Sequence, residues 1–144
     1  MENKKIVTLL NDLLTKNYDA EKGYREAASK IDLHTLKSYF KEQAEMRFSF
    51  GKDLKQLVTK YGGVPHEGTT EGTSFYPTWT ALIDVFTKGG RGIYAECIRI
   101  EEAFSSEFGE ILSDNLIPQD IKEVITKQKR AIDEALAHLK IMEG

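Results

Sequence analysis

Apolar residues recur at steps of three and four along four long stretches of the chain, and each stripe is broken near its middle by a polar residue. In the first, from about Lys4 to Lys30, Ile6, Leu10, Leu13, Ala20, Tyr24, Ala27 and Ile31 share one helical face, and Asn17 fills its gap. In the second, from about Leu33 to Tyr61, Leu36, Phe40, Phe50, Leu54, Leu57 and Tyr61 form the stripe, with Gln43 and Arg47 in core phase. Ile93, Cys97, Ile100, Phe104, Phe108 and Ile111 mark a third between about Arg91 and Ser113, with Glu101 at its edge. The fourth starts near Pro118 and carries Ile121, Val124, Ile125, Ala131, Ile132, Ala135, Leu139 and Met142, interrupted by Gln128.

The breaks between stretches are equally legible. Gly62-Gly63 and Pro65 stop the second helix, because glycine closes a helix in a left-handed turn and proline cannot continue it. Asp32 is expected to cap the start of that helix, its carboxylate accepting from first-turn amides. Gly23 interrupts a good helix and is expected to mark close helix packing. Pro118 suits a first turn, and Asp120 and Glu123 suit the positive end of a helix dipole. A long polar connection from Pro65 to Thr73 leads to a shorter apolar piece, Phe75 to Phe86, in which Trp79, Leu82, Ile83 and Phe86 keep helical spacing. Trp79, Phe75 and Phe86 are expected to cover one end or side of the bundle. The pattern predicts an all-α fold in one domain spanning 1–144: an antiparallel four-helix bundle whose long crossover, between helices two and three, carries a short extra helix. A bundle with one long crossover has ferritin-like topology.

Composition narrows the partners. Of 144 residues, 40% are hydrophobic and 30% charged, the balance of an ordinary globular domain. A net charge of -3 gives no electrostatic reason to expect nucleic acid or an anionic membrane. The one cysteine, Cys97, sits on an apolar stripe, excludes an internal disulfide framework and is expected to be a buried, inert thiol. No unbroken apolar run long enough for an export signal or a spanning helix is present, so a cytoplasmic protein is expected.

The four stripe gaps fall at similar heights. Asn17 and Arg47 each lie about four helical turns from the turn near Ile31-Asp32; Glu101 lies about four turns before the turn near Leu116, and Gln128 about three after it. Antiparallel hairpins would gather them at mid-bundle. Buried polar groups are costly unless paired, so Arg47 is expected to pair with Glu101 or its neighbour Glu102, while Asn17, Gln43 and Gln128 take up remaining donors and acceptors.

The strings Leu10-Asn11-Asp12-Leu13, Asn17-Tyr18-Asp19 and Gly23-Tyr24-Arg25-Glu26-Ala27-Ala28 resemble the first helix of a bacterial family of uncharacterised four-helix-bundle proteins in the ferritin-like superfamily. Leu36-Lys37-Ser38-Tyr39-Phe40, Tyr61-Gly62-Gly63-Val64-Pro65, Trp79, Glu96-Cys97 and Glu101-Glu102 extend the likeness over nearly the whole chain. The resemblance implies a ferritin-like bundle and no established activity. Rubrerythrin-type members of that superfamily carry Glu on helices one and three and Glu-x-x-His on helices two and four. Those positions fall here at Asn17, near Glu45-Met46-Arg47-Phe48, at Glu101 or Glu102, and near Gln128 with Ala131.

Most of the ligands that two iron or manganese ions need are therefore missing. None of His34, His66 and His138 has a Glu three residues before it, and Glu134 and His138, one turn apart, have the spacing of a weak surface ion site or a simple side-chain pair. Gly89-Gly90-Arg91-Gly92 lacks the strand a nucleotide loop requires. The expected protein is a metal-free, cofactor-free, non-enzymatic bundle with a structural, binding or stress-related role that self-associates as a dimer. The competing expectation is a di-metal oxidase or peroxide-handling protein with an atypical ligand set of Glu42, Glu45, Glu101 and Glu102.

Overall fold

The structure, a computed structural model, describes residues 1–68, 84 and 92–144. Among these residues there are four helices and no strand: α1 (Asn3–Lys30), α2 (His34–Lys60), α3 (Ile93–Ser113) and α4 (Gln119–Glu143). The predicted short helix from Phe75 to Phe86, with Trp79, lies outside the described residues apart from Asp84. No described helix is long and apolar enough to cross a membrane.

The helices pack as two hairpins, α1 on α2 and α3 on α4, and α2 also meets α4. The stripes supply one continuous core. Leu10, Leu14, Leu36, Phe40, Leu54, Ile121, Ile125 and Leu139 are fully or almost fully buried in it. Removing that apolar area from water is the main favourable term, at roughly 25 cal/mol per Å². The half-buried Lys16–Glu107 contact at 2.9 Å adds a polar tie between α1 and α3.

The ends of α2 divide the expectations. Leu33, not Asp32, occupies the cap position of α2, and no side chain caps it; Asp32 is exposed one residue too early to reach the first-turn amides. At the other end, Gly62 adopts φ 85, the Gly62 amide donates to the Thr59 carbonyl and the Gly63 amide donates to the Val58 carbonyl, each at 3.0 Å. That double bond pattern is the Schellman closure that glycine permits. Gly63 then lies so close to the Val7 side chain of α1 that a Cβ there would clash.

The chain leaving α2 is fastened at once to α1. Asn11, buried in α1, donates from Nδ2 to the Val64 carbonyl at 3.1 Å and accepts at Oδ1 from the His66 amide at 2.8 Å. Across the same end of the bundle, Asp120 at the start of α4 accepts from the Tyr61 hydroxyl at 2.6 Å and from Lys60 at 2.5 Å. Those bonds to Lys60 and Tyr61 hold the Asp120 carboxyl below its ordinary range. The two hairpins are thereby joined where the crossover begins.

Candidate functional site

Five polar side chains lie inside the bundle at mid-height: Asn17 of α1, Gln43 and Arg47 of α2, Glu101 of α3 and Gln128 of α4. Arg47 and Glu101 are both fully buried, with Arg47 Nη2 3.8 Å from Glu101 Oε2. The guanidinium lies over the Phe104 ring, its Cζ 4.0 Å from the centroid, with Phe50 at 5.5 Å. An arginine is weakly hydrated and planar, so an aromatic face and a nearby carboxylate offset much of what it loses on leaving water.

The amides take their bonds from helix backbones. Asn17 Nδ2 donates to the Arg47 carbonyl at 2.6 Å, and Gln128 Nε2 donates to the Phe50 carbonyl at 3.4 Å. Gly51 permits the first of these approaches: a Cβ at that position would stand 3.3 Å from Asn17 Nδ2. Both amides have turned their N–H groups toward carbonyls of α2, which leaves their oxygens facing elsewhere. Asn17 Oδ1, Gln43 Oε1, Gln128 Oε1, both Glu101 carboxylate oxygens, and Arg47 Nε and Nη2 have no hydrogen-bond partner. One and two turns along the same face of α2 from Arg47 stand Gln43 and Tyr39, whose hydroxyl is likewise unpartnered. Cys97, one turn from Glu101 on α3, is buried beside this run.

Burial sets the electrostatics. Loss of water pushes the Glu101 carboxyl up to about 8 and the Arg47 guanidinium down to about 9. Their mutual attraction at 3.8 Å works against both shifts. Tyr39 and Glu107 act on Arg47 in the same sense as Glu101, favouring its charged form. The Cys97 thiol is pushed up to about 12, chiefly by burial, so it is neither a nucleophile nor a ready thiolate at neutral pH.

A family model described as a domain of unknown function (DUF2383) matches residues 5–114. The chain belongs to that family. No curated protein matches the chain. The DUF2383 match takes in nearly all of α1 and the whole of α2 and α3, so Asn17, Gln43, Arg47 and Glu101 fall within it, and Gln128 of α4 falls beyond it.

The expected layer needs one correction. Glu102 is exposed and does not join it. Successive residues on a helix are about 100° apart, so with Glu101 turned inward Glu102 must turn out. The alternative metal ligands are not brought together either: Glu42 and Glu45 are exposed, with Glu45 4.0 Å from Arg25, and only Glu101 of that set is inside. Among the described residues no three His, Cys, Asp or Glu side chains are placed to hold a metal ion. Among the described residues, the donor chemistry of the mid-bundle layer does not fit a di-metal centre, since its single carboxylate beside a buried cation cannot offset two further cations.

Asn11 and Asp19, both buried in α1, are polar residues that the stripes do not mark, and Asn11 has the clearer role. Asn11 reads as a polar break beside Leu10, yet it is as buried as Asn17 and holds the backbone of the crossover. Its signal lay in the demands of an irregular segment, which leave no period in the sequence of the helix that meets them.

Proposed function

We propose that this protein is a non-enzymatic, metal-free, ferritin-like antiparallel bundle of bacterial cytoplasm with a structural, binding or stress-related role, acting as a self-associated dimer. The observation that carries this reading is Arg47, whose fully buried guanidinium lies between the Phe104 ring and Glu101 at the height where carboxylate-bridged metals sit in bundles of this topology. A guanidinium there supplies a fixed positive charge and planar donors, and a bound cation would have to approach it without added carboxylates to screen the repulsion. The same residues argue against redox chemistry at the centre, since the described residues of the mid-bundle layer contribute one carboxylate, Glu101, with amides and a buried thiol beside it.

The test is metal analysis of the protein purified from cells grown with added iron and manganese. The expected result is far less than one equivalent of either metal per chain. A stoichiometry near two would overturn the reading. Sedimentation of the same preparation checks the dimer, and a single monomeric boundary at high concentration would remove that part of the proposal.

A further inference from the structure

The interior polar run does not close on itself. Its unpartnered acceptors are Asn17 Oδ1, Gln43 Oε1, Gln128 Oε1 and the oxygens of Glu101, while its unpartnered donors are Nε and Nη2 of Arg47, with the Tyr39 hydroxyl able to serve either way and the Glu101 carboxyl donating from one oxygen when protonated. Turning the amides over gives no relief. Asn17 and Gln128 face the carbonyls of Arg47 and Phe50, which only accept, so their N–H groups must stay where they are. Buried polar atoms left unmatched in this number would cost more than the margin by which a domain of this size is stable. Something must donate to them.

Chemistry narrows the candidate. An anion would add acceptors to a set already rich in them. A metal or alkali cation would have to sit beside the Arg47 guanidinium with one carboxylate to balance both charges. Water donates twice, carries no charge and is small. Arg47 Nη2 and Glu101 Oε2, 3.8 Å apart, are too distant for a direct hydrogen bond and close enough for one water to reach both. Buried waters occur at about one per 27 residues in globular domains and typically make about three hydrogen bonds to otherwise unsatisfied groups.

We infer that the mid-bundle layer is a binding site for ordered water, in which water bridges Arg47 to Glu101 and donates to the amide oxygens of Asn17, Gln43 and Gln128. The inference rests on the metal-free reading of the same residues. It turns a half-satisfied cluster into a hydrogen-bonded plug spanning all four helices, with water supplying the donors that the side chains lack.

The test is an atomic-resolution crystal structure of the whole chain, with diffraction also collected at the iron and manganese absorption edges, paired with water-to-protein nuclear Overhauser effects in solution. The expected result is at least one ordered oxygen within hydrogen-bond distance of both Arg47 and Glu101, without anomalous signal, and Overhauser contacts from water to the Arg47 Nε proton and the Asn17 amide. In an Arg47→Met, Glu101→Leu double variant, which keeps Asn17, the water contact to the Asn17 amide should disappear. A dry layer in which Arg47 moves onto Glu101 would overturn this inference and leave the metal-free reading intact. Anomalous peaks between the helices would overturn both.

Discussion

Asn11 and Asn17 lie less than two turns apart on α1, are equally buried at 4% exposure, and end differently. Asn11 meets the irregular backbone after α2 and is satisfied at both ends, donating to Val64 and accepting from His66. Asn17 meets the middle of α2 and is satisfied at one end only, donating to the Arg47 carbonyl. The difference lies in what each finds opposite. A loop offers both free N–H and free C=O groups, whereas the interior of a helix has already spent its N–H groups on the turn before and has only carbonyl lone pairs left to share. A polar side chain buried against a helix flank therefore needs another side chain, or water, for its acceptor. The mid-bundle layer is built from such residues, and the clasp at the crossover is not.

Breaking the layer should have the largest effect. Arg47→Ala strands the Glu101 carboxyl and removes the cation from Phe104, so a loss of ~3–5 kcal/mol is expected in denaturant unfolding, with a matching fall in the melting temperature. An unchanged midpoint would place Arg47 at the surface and dissolve the comparison.

The pH dependence comes next. Glu101 is held above its unfolded value, so the folded state binds its proton more tightly. Its contribution is full below about 4.5 and falls away as pH rises through about 8. The loss across that window is at most ~5 kcal/mol, and the nearby Arg47 charge reduces it. Arg47, at about 9, stays charged throughout the window and adds no slope there. Unfolding free energies measured from pH 5 to 8 should decline in the native protein and run flatter in Glu101→Gln. A parallel decline in both would assign the slope to other groups.

The two asparagines should separate under one substitution. Asn11→Ala leaves the Val64 carbonyl and the His66 amide without their partner, for ~1–3 kcal/mol. Asn17→Ala removes one bond to the protein and an oxygen that no protein group meets, so its cost should be the smaller of the two. Equal losses would show that Asn17 is as fully bonded as Asn11. Asp120→Asn, at the rim of the clasp, should cost below ~1 kcal/mol, because the Lys60 contact is well exposed. High salt should narrow even that difference.

The helices were legible because their stripes are long and regular, and the end of α2 was legible because Gly62 and Gly63 are needed for the closure they make. The inward positions of Asn17, Gln43, Arg47, Glu101 and Gln128 follow from phase, since each fills a gap in a stripe whose neighbours are buried. Phase could not choose between Glu101 and Glu102 while either could sit at the edge of a broad apolar face; only the packing of Ile100, Phe104 and Phe108 turns Glu101 in. Asp32 failed as a cap because the chain enters α2 one residue later than its composition suggested. Asn11 was missed because its partners lie far along the sequence, in a segment with no period to read.

A double-mutant cycle on Arg47→Met and Glu101→Gln measures most directly whether these two side chains form the balanced centre of the bundle. Each single change should destabilise the protein, and the double variant should recover part of the sum, with a coupling of ~0.5–3 kcal/mol. Strictly additive losses would mean that the two groups do not sense each other, and the charge-balanced interior would have to be abandoned.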